Sequence, residues 1–115
     1  MTAVSEPAEL PLIAECRLDL DGLRRQRDRY RALGRHASSA TRRPQQLTVR
    51  FDGAVDVGLL LDTIEVERGC CPFFQMTSDV ERRELAVSVP QPQQDLALDA
   101  IVSALGVTRL IAGVG

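Results

Sequence analysis

Pro72 follows directly on Cys70 and Cys71, and it divides the chain into two patterns. Before it, Val57, Leu60, Leu61 and Ile64 recur at three- and four-residue spacing, with part of Arg68 on the same stripe. That spacing predicts an amphipathic helix over residues 55 to 69, with Asp62, Glu65 and Glu67 turned toward water. After it, residues 73 to 79 and 83 to 89 read as two strands. In the second, Leu85, Val87 and Val89 share one face and Ala86 and Ser88 the other, and the polar turn from Asp79 to Arg82 makes the pair an antiparallel hairpin. Proline has no amide hydrogen and disfavours the helical conformation in the residue before it. Both sulfurs therefore sit where helix gives way to extended chain.

The flanking segments complete one domain. Leu12, Ala14, Cys16 and Leu18 alternate with Ile13, Glu15 and Arg17, a half-buried strand that turns Cys16 inward. Asp19 or Asp21 can cap a helix that carries Leu20, Leu23, Arg27, Tyr30 and Leu33 and stops at Gly34. Residues 35 to 46, with Ser38, Ser39, Arg42, Arg43 and Pro44, read as a polar, mobile connection. Leu47, Val49 and Phe51 form the next strand, closed by Asp52-Gly53. Pro90 and Pro92 end the hairpin. Asp95 opens a last helix with Leu96, Ile101, Val102 and Leu105 up to Gly106, and the tail from Val107 to Gly115 suits a short strand. The expectation is an α+β fold: an open, mostly antiparallel sheet with helices on one face, in the order β-α-β-α-β-β-α. Residues 1-11, with Pro7 and Pro11, form a loose arm and 12-115 the single α+β domain. The bare sheet face would serve a homodimer.

Composition excludes several functions. The 115 residues suit one core, and no apolar run is long enough for a membrane span. The first residues lack a basic segment followed by an apolar one, so the expected location is cytoplasmic, with three thiols rather than a disulfide scaffold. Every basic residue is arginine, and residues 17 to 50 hold ten of the fourteen against three acids. Arg24, Arg27, Arg31 and Arg35 recur at helical spacing and could track phosphates. Tyr30 is the only aromatic residue there, however, and the pI is about 5.4, so stacking platforms are missing and nucleic acid is not the expected partner. A solvated helix face is the simpler account.

The sulfurs carry the chemistry. Thiolates favour soft or borderline ions such as zinc and monovalent copper, and by the same logic mercury and arsenite. Cys16 becomes a third donor to Cys70 and Cys71 if the first strand packs beside the end of the second helix. With His36 as fourth ligand the set would be a zinc-type Cys₃His, although the spacing matches no zinc ribbon and His36 falls in the polar connection. Three sulfurs alone suit a three-coordinate species such as mercury or arsenite. Two other functions stay open. In a thiol-dependent redox enzyme, one member of the vicinal pair attacks and the other resolves. Against it, the negative end of the helix dipole disfavours thiolates, Arg68 being the one nearby offset, and a bridge between adjacent cysteines is strained. In a regulatory interaction module with a protein partner, the cysteines are structural, Cys16 being a small core side chain. Phe73, Phe74 and Met76 pack against the second helix in any of these and shield the sulfurs.

Ala14-Glu15-Cys16-Arg17-Leu18, the basic helix, the strand Leu47 to Phe51 and Val66-Glu67-Arg68-Gly69-Cys70-Cys71-Pro72-Phe73-Phe74 together resemble a family of small bacterial proteins marked by an "ER-x-CCPF" box. The resemblance spans roughly residues 12 to 106. A similar unit accompanies regulators of the mercury-resistance (MerR) class, which implies a metal or metalloid connection and matches Cys16, Cys70 and Cys71 to the family's cysteines. This chain lacks the DNA-binding helix-turn-helix of such regulators, so a regulatory role would need a separate partner. The sequence thus points to thiolate-based binding of a soft metal or metalloid ion, with a sensing or resistance role and no substrate turnover.

Overall fold

The computed structural model describes residues 19–112. The arm over residues 1–11, the expected strand over 12–18 and Cys16 lie outside the described residues. Helix α1 (Leu20–Gly34) starts at Asp19, whose Oδ1 accepts the Gly22 amide at 2.7 Å. Strands β1 (Ala37–Arg43) and β2 (Gln46–Phe51) form a hairpin, and helix α2 (Val57–Cys70) follows, capped by Asp56. Strands β3 (Gln75–Asp79) and β4 (Glu84–Ser88) form a second hairpin. A short 3₁₀ turn (Pro92–Gln94) leads into α3 (Asp95–Leu105), and a second (Thr108–Leu110) into β5 (Ile111–Ala112).

The sheet order is β3-β4-β2-β1-β5, antiparallel throughout except where β5 runs parallel to β1. Ala40, Leu47, Val49, Leu85, Val87 and Met76 point into one core beneath the helices. Thr41, Thr48, Ala86 and Thr77 line up across the opposite face. α1 packs on both α2 and α3, α2 on β3 and α3 on β2. The α+β class and the open, mostly antiparallel sheet with helices on one face are as the sequence implied.

Residues 35 to 46 are not the mobile connection expected. They form β1 and a tight turn, and only Ala40 of the strand is buried, so no apolar alternation marked it. Backbone pairing on both edges holds it instead. At the turn, Gln45 takes a positive φ of 63°, its amide donates to Asp95 Oδ1 at 2.7 Å, and its side chain donates to the Val89 carbonyl. Arg42 donates to Asp99 Oδ1 at 3.0 Å and to the Asp95 carbonyl, tying β1 to α3.

Each long helix buries part of its expected stripe, Tyr30 and Leu33 in α1 and Leu60 and Ile64 in α2, and departs from it elsewhere. In α1 the buried side is Gly22, Gln26, Tyr30, Leu33 and Gly34, while Leu20 and Arg27 face water. In α2 it is Leu60, Thr63, Ile64, Glu67 and Cys70, while Leu61 is 46% exposed and Arg68 reaches out to donate to the Met76 carbonyl of β3. The difference has one cause: each buried stripe contains polar residues, which a search for apolar spacing passes over.

Candidate metal centre

α2 ends at Cys70. The Cys71 amide still closes a helical bond to the Glu67 carbonyl, but its backbone leaves the helix at φ −130° and ψ 75°, as Pro72 demands. That turn brings together two neighbouring side chains that a continuing helix would splay by about 100°. The sulfurs lie 3.5 Å apart, too far to be bonded to each other and close enough to share one ion. Phe74 folds back through its amide to the Cys71 carbonyl, and its ring, tilted 43° against that of Phe73, is buried in the core.

Glu67 is the residue the sequence reading misplaced. Expected in water, it is 4% exposed, one turn before Cys70 and Cys71 and on the same helical side. Cys70 Sγ donates to Glu67 Oε2 at 3.7 Å. Glu67, Cys70 and Cys71 each present a ligand atom within 4.8 Å of the others, a group able to hold a metal ion. The signal was present as the i, i+3, i+4 spacing of these three residues, masked by the assumption that a helical glutamate faces solvent.

α1 supplies the other wall. Tyr30 Oη donates to Glu67 Oε1 at 2.5 Å, in the range of a charge-assisted bond, and Gln26 Nε2 donates to the same oxygen at 3.2 Å and to the Thr63 carbonyl at 3.0 Å. Arg29 in turn donates to Gln26 Oε1, fixing the amide's orientation. Burial first, then the charge of Glu67 and the bond to it, then Cys71 and Cys70, hold the Tyr30 phenol well above its ordinary 10.0, so it stays a neutral donor. One carboxyl oxygen is thereby pinned and Oε2 is left toward the sulfurs, the kind of support that orients a ligand for a metal. Neither Tyr30 nor Gln26 was singled out by its chemistry in the sequence.

With metal–sulfur bonds of about 2.3 Å, a 3.5 Å sulfur separation corresponds to an S–metal–S angle of about 100°. The pair therefore fits a bent chelate. Among the described residues no histidine joins the group: His36 Nδ1 faces Asp52 Oδ1 at 3.3 Å. The arginine face of α1 is exposed at Arg24, Arg27 and Arg31, with Arg24 3.8 Å from Asp21. No described helix is long and apolar enough to cross a membrane.

Fold and site together define an α+β domain with a buried cluster of two thiols and a carboxyl group at the junction of two helices. Set against known proteins, the chain matches no family model, no curated protein and no solved structure.

Proposed function

We propose that this protein binds a soft metal or metalloid ion through Cys70, Cys71 and Glu67, in a sensing or resistance role, with Cys16 as a further sulfur donor. The observation that carries this reading is the convergence of three ligand atoms within 4.8 Å in a buried cluster, one of them oriented by Tyr30 and Gln26. Two sulfurs select soft and borderline ions over magnesium or calcium, which take oxygen ligands. The resemblance to units accompanying mercury-resistance regulators points the same way. A redox enzyme is less well supported, because the pair stands at the C-terminal end of α2, whose negative dipole end disfavours a thiolate nucleophile.

Elemental mass spectrometry of the purified protein, before and after chelator, tests the proposal, together with titration by zinc, mercuric and arsenite ions. One ion per chain, lost in Cys70→Ser and Cys71→Ser, is the expected result. Stoichiometric binding that survives both substitutions would refute it. Cys16→Ser then reports whether the third sulfur contributes.

A further inference from the structure

We infer that Cys70 and Cys71 form a bidentate covalent site for a trivalent arsenical, with Glu67 as the proton acceptor; this deepens the proposed soft-ion site and rests on it. Two features favour this occupant.

The first is the angle. A linear S–metal–S unit with bonds of about 2.3 Å would hold its sulfurs about 4.6 Å apart, well beyond the 3.5 Å found here. Opening the pair that far would re-rotate two side chains packed in the core, one of them fully buried. Trivalent arsenic is pyramidal, its lone pair bending the bonds, and needs no opening.

Coordination number is the second. Structural zinc takes four ligands. Among the described residues the group supplies three, and Glu67 Oε1 is already engaged by Tyr30 and Gln26. An arsenical carrying one organic substituent is satisfied by two sulfurs.

The condensation also balances with the groups that the cluster holds. The two S–H bonds and the arsenic–oxygen double bond break, two arsenic–sulfur bonds form, and the two protons leave with the oxygen as water. Arsenic remains trivalent throughout, so no oxidant or reductant takes part. Glu67 Oε2, 3.7 Å from Cys70 Sγ, accepts that thiol's proton as sulfur attacks and returns it to the departing oxygen. Entry requires the last turn of α2 and the turn that follows it, where Gly69 and Pro72 are exposed, to open.

The test uses phenylarsine oxide on the intact chain. Expected is one adduct per chain, with a mass gain equal to the reagent less one water. After denaturation, Cys70 and Cys71 in the wild-type adduct should be protected from iodoacetamide while Cys16 is alkylated, a measurement that needs no variant to fold. Cys70→Ser and Cys71→Ser should lose the adduct and Cys16→Ser keep it, and Glu67→Gln should slow its formation without abolishing it. Protection of Cys16 together with only one of the pair overturns the inference. Retention of zinc or mercury with no arsenical adduct overturns it while leaving the soft-ion site standing, and absence of both ion and adduct removes the two together.

Discussion

Tyr30 is the only tyrosine in a chain without tryptophan, so phenol absorbance and emission report directly on the hydrogen bond to Glu67. Its proton also sets an alkaline limit. Below about pH 10 the folded and unfolded chains both keep the phenol protonated, and the contribution to stability is complete. Above it the unfolded chain releases the proton first and binds fewer protons than the folded one, so stability falls until the folded phenol itself titrates. Urea denaturation of the wild type from pH 8 upward should show that loss beginning near pH 10. Tyr30→Phe should be less stable at pH 7 by about 1–3 kcal/mol, because it takes a donor from a buried carboxyl group. Its stability should also converge on that of the wild type as pH rises above 10. Parallel pH curves would contradict the assignment.

Two helices meet at this site, and their phase decides which residues it contains. Leu60 is fully buried while its neighbour Leu61 is nearly half exposed, although the two are chemically identical in sequence. Leu60→Ala should therefore cost about 2–5 kcal/mol and Leu61→Ala about 0.5 kcal/mol or less, read from urea midpoints. The opposite ranking would mean that Glu67 faces water. α1 is held in place at its far end by Gly34, where any Cβ would run into the backbone carbonyl of Leu105 in α3. A collision with backbone has no flexible end to yield. Gly34→Ala should cost more than about 3 kcal/mol and loosen the Tyr30 contact with it, a change visible in tyrosine emission. Asp19 was legible as a helix start because capping needs only a short acceptor side chain at the right place, whereas Asp56, the cap of α2, fell inside the span expected to be helical.

Across the whole molecule, Tyr30 and Gln26 join α1 to α2 through Glu67 above a sheet whose central strands are already well buried, while the three ligand atoms all belong to α2 and its C-cap, so an ion there would stabilise by binding the folded chain rather than by nucleating it. Binding to the folded chain alone at a hundred times the dissociation constant adds about 2.7 kcal/mol, a rise in melting temperature on the order of 10 °C for a domain of this size. Differential scanning calorimetry with zinc or arsenite should show that rise, reversed by chelator or by a small dithiol and missing in Cys71→Ser. An unchanged melting temperature at saturating ion would argue against a buried site.

Residue order alone determined where helices begin and end, which residues alternate in β2 and β4, and that Cys70 and Cys71 stand at a helix terminus, because caps, prolines and alternation act over a few residues. β1 escaped notice because its support is backbone pairing on both edges, which leaves no pattern in side chains. The inward turn of Glu67 and its meeting with Tyr30 and Gln26, distant in sequence, were decided only by tertiary packing. A buried carboxyl group is costly until donors from another helix surround it, and that compensation exists only once α1 and α2 have docked.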